Sequence, residues 1–75
     1  MKKNQYNKEG NREGYWESVY CKGNYIDGKR DGYWKYYYIN GRINHVGHYM
    51  NDKEKGYWEY YHADGKITMK EYYYK

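Results

Sequence analysis

Three Gly-Tyr-Trp triplets, at Gly14, Gly32 and Gly56, each open an aromatic run that turns back on itself. That repetition limits the chain to stacked β-hairpins. The most complete unit is Gly32 to Tyr49, GYWKYYYINGRINHVGHY, with Asn40-Gly41 at its centre. Asn-Gly between aromatic runs predicts a two-residue type I′ turn, because both central residues of that turn need positive φ. With Ile39 facing Arg42, the register pairs Tyr38 with Ile43, Tyr36 with His45, Trp34 with Gly47 and Gly32 with Tyr49 on one face. Tyr37 with Asn44, Lys35 with Val46 and Tyr33 with His48 then share the other face, since side chains alternate along a strand. Trp34 opposite Gly47 places a large ring over a residue that has no side chain.

Gly56 to Tyr73, GYWEYYHADGKITMKEYY, repeats the unit with Asp64-Gly65 as its turn. The same register sets His62 by Ile67, Tyr60 by Met69, Trp58 by Glu71 and Gly56 by Tyr73, with Glu59 against Lys70 on the second face. Upstream, Gly14 to Tyr25 is a version shortened at its tip, pairing Gly14 with Tyr25, Trp16 with Gly23 and Glu17 with Lys22. Val19-Tyr20 is poor chemistry for a two-residue turn, which predicts a wider loop or a slipped register there. The hairpins are therefore expected at about 14–26, 32–50 and 56–74, with 1–13 as a partial N-terminal repeat or cap. Charged, turn-rich connectors such as Asp27-Gly28-Lys29-Arg30-Asp31 and Asn51-Asp52-Lys53-Glu54-Lys55 join them.

The apolar residues narrow the architecture further. The chain of 75 residues has 15 Tyr and 3 Trp but no Phe and no Pro, and leucine is absent. A domain this small buries only about 60% of the surface its unfolded chain exposes. Rings whose hydroxyls keep a wet edge do not build a closed, dry, two-layer core. The expectation is an all-β fold: a single-layer, twisted antiparallel meander in which each hairpin covers the next. No stretch has helical periodicity with cap signals, and the aromatic content argues against disorder. Met1-Lys2-Lys3 is followed by polar residues and not by the apolar run of a secretory leader. No segment approaches the roughly 20 apolar residues of a membrane span. The single cysteine, Cys21, cannot form an internal disulfide, so a cytoplasmic location is expected.

Gly-Tyr-Trp-x-Tyr-Tyr, then Asn/Asp-Gly-Lys/Arg-Ile, then Gly-x-Tyr, then a charged turn and a new Gly-Tyr-Trp, resembles the MORN family. The pattern is most similar to the variant MORN repeats of small bacterial antitoxin-type proteins, and it covers most of residues 6–74. The resemblance implies an elongated meander with an aromatic groove, and a role in binding proteins, in self-association or, in some members, in contacting membrane lipid. Two departures stand out. The first unit is shortened, and Glu71 stands where Gly23 and Gly47 stand opposite a Trp, which implies a more polar terminal cap.

Signals for catalysis are missing. His45 and His48 are three apart, which on a strand sends them to opposite faces, so they make no metal pair. Cys21 has no base beside it in the repeat. Carboxylates such as Glu13, Asp31 and Glu59 are interleaved with Lys and Arg, the mark of a solvated face with weak ion pairs. No glycine loop leads into a helix to cradle a phosphate, and no cofactor is called for. The chain reads as a non-enzyme whose function is binding.

Trp16, Trp34 and Trp58 recur at one place in each unit and share a predicted face with Tyr36, Tyr38 and Tyr60. Tyr33, Tyr37, Tyr57 and Tyr61 line the second face, where folding explains them less. Tyr and Trp supply contact area at low entropy cost, so all ten are candidate partner-binding residues. The leading expectation is a small stoichiometric inhibitor or neutraliser of a partner protein, an enzyme or toxin, encoded as an antitoxin or by a phage or other mobile element. Open sheet edges also allow a homodimer. The alternative is nucleic acid, a nucleotide or an anionic lipid stacked on the aromatic groove, given a net charge of +4. Against it, Lys29, Arg30, Lys53 and Lys55 are offset by Asp27, Asp31, Asp52 and Glu54 in the same connectors, so no basic stripe forms.

Overall fold

Alternating rings and polar residues make strands along almost the whole chain. The computed structural model describes residues 2–73, so Tyr74, the end of the third expected hairpin, lies outside the described residues. Seven antiparallel strands follow one another in a single open sheet. They are β1 (Gln5–Tyr6), β2 (Arg12–Glu17), β3 (Cys21–Ile26), β4 (Lys29–Tyr37), β5 (Ile43–Met50), β6 (Lys53–Tyr61) and β7 (Ile67–Tyr73). Among the described residues there is no helix. The molecule measures 41 × 31 × 17 Å, and the short axis leaves room for one layer with side chains on both faces.

The body of each hairpin has the expected register. Gly14 pairs with Tyr25, Trp16 with Gly23, Trp34 with Gly47, Tyr36 with His45, Trp58 with Glu71 and Glu59 with Lys70. The tips differ. Asn40-Gly41 is not a type I′ turn: only Gly41 has positive φ, at 87°, and Tyr38 and Arg42 close a three-residue loop through Tyr38 N–H to Arg42 O at 2.8 Å. This is a type I turn followed by a left-handed glycine. Ala63-Asp64-Gly65 forms the same loop, closed by His62 N–H to Lys66 O at 2.8 Å. An odd loop would flip every side chain to the wrong face. Bulged Asn44 and Thr68 restore the parity, so Tyr37, not Tyr38, pairs with Ile43, and Tyr61, not His62, pairs with Ile67.

The short first hairpin holds its register without a wider loop. Ser18 N–H donates to Cys21 O at 2.8 Å across Val19-Tyr20. The Ser18 hydroxyl accepts from the amides of Tyr20 and Cys21 at 3.2 and 3.3 Å. A serine-centred turn thus replaces glycine chemistry. The positive-φ pairs instead sit at the opposite end of the sheet, at Asp27-Gly28 (50° and 84°) and Asn51-Asp52 (53° and 72°). Each is a two-residue turn between units, flanked by Ile26 paired with Lys29 and Met50 with Lys53, so most connector residues belong to strands β4 and β6.

What builds the core is a bulge where each unit meets the one before. Lys22 pairs with Lys35 and Asn24 with Asp31, so Gly23 alone faces Gly32, Tyr33 and Trp34. Val46 pairs with Glu59 and His48 with Lys55, so Gly47 alone faces Gly56, Tyr57 and Trp58. Gly32 and Gly56 take φ of 81° and 72°, a conformation that suits glycine, and swing the following indole back over the preceding strand. A Cβ placed on Gly23 would lie 2.1 Å from Trp34, and one on Gly47 2.0 Å from Trp58. Trp34 therefore lies on Gly23 of the preceding unit, not on its own hairpin partner Gly47. This also explains Glu71: among the described residues no strand follows β7, so no indole needs that space.

Candidate functional site

On the first face the rings form a continuous spine. Tyr6, Trp16, Tyr25, Trp34, Tyr49, Trp58 and Tyr73 alternate edge-to-face at centroid separations of 5.2, 6.0, 5.0, 6.3, 5.0 and 6.2 Å in that order. Such pairs add about 0.5–1.5 kcal/mol each beyond the area they bury. Each indole N–H donates to a carbonyl of the preceding strand, Trp16 to Gln5 at 3.0 Å, Trp34 to Asn24 at 3.0 Å and Trp58 to His48 at 3.2 Å. Trp34 and Trp58 are each 1% exposed. Of the ten expected contact residues, these two are core and have no surface to offer. Trp16 is half-buried nearer the edge.

A second row runs alongside. Tyr36 stacks on His45 at 4.3 Å and His45 on Tyr60 at 5.5 Å. The Tyr36 hydroxyl meets Tyr49 at 3.1 Å, and Tyr60 meets Tyr73 at 3.1 Å. Arg30 donates to both Tyr36 and Tyr49 at 3.3 and 3.0 Å while its Nε contacts Asp52 at 2.5 Å. Tyr38 staples the tips of two hairpins, its hydroxyl donating to Tyr61 O at 2.6 Å. Beside this row a groove of about 660 Å³ opens among Tyr6, Arg12, Cys21, Tyr25, Arg30 and Tyr36. Arg12 lies 4.5 Å over Trp16 and donates to the Tyr25 hydroxyl at 3.0 Å. His45 was legible on this face from its pairing with Tyr36, whereas the two arginines were not, because their places depend on which unit covers which.

His45 gives this row a pH dependence. Its Nδ1 lies 2.9 Å from Asn44 Oδ1, an acceptor, so Nδ1 carries the proton of the neutral ring. Burial between Tyr36 and Tyr60 lowers its pKa, since burial disfavours the charged form. The unfolded chain, with a His pKa of about 6.5, then binds a proton before the folded chain does, so stability falls as pH drops below about 6.5. Urea midpoints at about pH 7.5 and about pH 5 will show the loss, and His45→Gln will shrink the difference.

The second face carries the remaining tyrosines. Tyr57 and Tyr61 donate to the two oxygens of Glu59 at 3.0 and 2.7 Å. The hydrogen bond from Tyr61, then that from Tyr57, holds the Glu59 carboxyl below its ordinary range. Tyr15 donates to Glu17 at 3.1 Å, and Lys3 reaches the other Glu17 oxygen at 2.6 Å. Tyr33 tilts against His48 at 5.1 Å and remains 46% exposed, and Tyr37 lies under Lys22, whose Nζ is 5.3 Å from its ring. Val46, 8% exposed, is the buried residue at the centre of this face.

Among the described residues, no three His, Cys, Asp or Glu side chains gather as a metal would require. Cys21 is free, half-buried, with its Sγ 3.7 Å from the Ser18 hydroxyl. Among the described residues no helix is long and apolar enough to cross a membrane. The geometry defines an open, one-layer sheet of hairpin repeats with two chemically different faces. No family model, curated protein or solved structure matches the chain.

Proposed function

We propose that the chain is a non-enzymatic protein-binding module of MORN-like hairpin repeats that holds a partner protein stoichiometrically and neutralises it, as an antitoxin or a phage-encoded inhibitor does. One observation carries the reading. The first-face rings are used up on one another, whereas Tyr33, Tyr37, Tyr57 and Tyr61 line a second face whose rings the spine does not need. Half-exposed tyrosines beside charged groups have the composition of a contact surface. Affinity capture from the source cell, with wild type beside a Tyr33→Ala/Tyr57→Ala variant, tests it. One stoichiometric protein is expected with wild type, and the variant should bind it roughly 30-fold more weakly, the effect of losing a hot spot of about 2 kcal/mol. Equal capture by the variant would move the contact surface elsewhere, and capture of no protein would end the proposal.

A second reading rests on the groove between Arg12 and Arg30, which pairs cations with aromatic rings as an anionic ligand, a nucleotide, nucleic acid or lipid headgroup would require. Steep loss of binding with added salt separates it from the protein-partner reading.

A further inference from the structure

The residue after each repeated tryptophan is Glu17, Lys35 or Glu59, and in each unit it points to the second face beside tyrosines. The third unit shows what two such tyrosines do: Tyr57 and Tyr61 each give a hydroxyl to one oxygen of Glu59 at 3.0 and 2.7 Å. In the first unit Tyr15 serves Glu17 in the same way at 3.1 Å. The middle unit keeps the tyrosines, Tyr33 and Tyr37, but puts Lys35 where the carboxylate belongs.

Of the two cations there, Lys22 has Glu17 opposite it across β2 and β3, but Lys35 has no opposite charge on either side. Across β3 and β4 Lys35 stands directly opposite Lys22, a like-charge pair that works against the sheet. On its other side Lys35 faces Val46, which has no charge to return. The ion pairs among the described residues are Lys3 with Glu17 and Arg30 with Asp52, so neither Lys22 nor Lys35 is in one. Their ammonium groups lie over the neighbouring rings, Lys22 at 5.3 Å from Tyr37 and Lys35 at 5.7 Å from Tyr33. Both lysines and both tyrosines line one open cavity of about 280 Å³. Two tyrosines and two cations line it together, and the same fold fills the corresponding place elsewhere with a glutamate.

We infer that Lys22, Lys35, Tyr33 and Tyr37 form a receptor for a carboxylate side chain in an acidic segment of the protein partner. The incoming carboxylate completes in the middle unit what Glu59 completes within the third. This rests on the protein-binding reading above, and it names the chemistry of that partner. A planar carboxylate fits because Glu59 already shows one oxygen for each hydroxyl, and charged hydrogen bonds of this kind are the stronger class.

The full chain, titrated with a capped hexaglutamate peptide and followed by NMR of its tyrosine rings and backbone amides, tests the assignment. Saturable shifts are expected at Tyr33, Tyr37, Lys22 and Lys35. Lys35→Glu should weaken the peptide by about tenfold or more, since it both removes a cation and places an internal carboxylate in the receptor. That variant stays folded on this account, because it copies the third unit and turns a like-charge pair into an opposite one, so its unfolding midpoint should equal or exceed that of wild type. Absence of peptide binding, shifts centred on Arg12 and Arg30, unchanged affinity in Lys35→Glu, or an equal response to inorganic phosphate at matched ionic strength would each overturn the receptor. The two readings fail separately. If Lys35→Glu captures the native partner as tightly as wild type does, the receptor is wrong and the module stands; if wild type captures none, the module is wrong and the titration still decides the receptor.

Discussion

Trp34→Ala will lower the free energy of unfolding by about 3–5 kcal/mol, the range for truncating a large ring inside a packed core. The ring is 1% exposed, so nearly all of its surface returns to water or becomes cavity. It is also a joint of the spine, edge-on to Tyr25 at 5.0 Å and to Tyr49 at 6.3 Å, so its loss parts the first unit from the second. Its N–H bond to Asn24 O disappears as well, leaving a strand carbonyl at the bulge without its donor. A domain of this length has a total stability on the order of 4–11 kcal/mol, so the change removes a large share of it. Urea unfolding followed by far-ultraviolet circular dichroism measures the loss, and Trp16→Ala, at a half-buried position, should lose less. A wild-type midpoint for Trp34→Ala would overturn its assignment to the core.

Much of the sheet was readable because two periodicities agree. Alternation along each strand and repetition of Gly-Tyr-Trp together give one register for the body of each hairpin, and Tyr36 opposite His45 or Glu59 opposite Lys70 follows without ambiguity. The tips escaped because Asn-Gly serves two loops equally well: a two-residue turn with both residues left-handed, or a three-residue loop in which glycine alone is. Asn44 and Thr68 carry no mark of the bulges they form. A different ambiguity hid the core. Trp34 has a glycine opposite it in its own hairpin, Gly47, and another in the hairpin before, Gly23, and alternation cannot choose between them. Glu71 was the clue, since the last unit keeps its Trp58 while lacking a glycine partner, which means the glycine serves the tryptophan that follows. The second-face tyrosines were placed by alternation alone. Lys22 beside Lys35 was not, because that contact crosses two units and depends on the bulge at Gly32.

Gly23→Ala will cost about 3 kcal/mol, the upper part of the usual range for overpacking a core, although it adds a single methyl group. Its Cβ would sit 2.1 and 2.2 Å from two carbons of the Trp34 indole, far inside van der Waals contact. The indole cannot withdraw cheaply, because its N–H is bonded to Asn24 O and its outer side is closed by the spine. Backbone strain plays no part, since Gly23 has an ordinary negative or extended φ, in contrast to Gly32, where φ is 81° and the space is open. The cost is therefore assigned to one contact, and a double-mutant cycle isolates it. With Trp34 already reduced to alanine, the methyl group enters vacated space, and Gly23→Ala should then be neutral or mildly stabilising. The two losses must fall well short of additive, by an interaction energy of about 2–3 kcal/mol. Simple addition of the single losses would mean that Trp34 does not rest on Gly23. The rule that each unit is seated on the glycine of the unit before it would fall with that result.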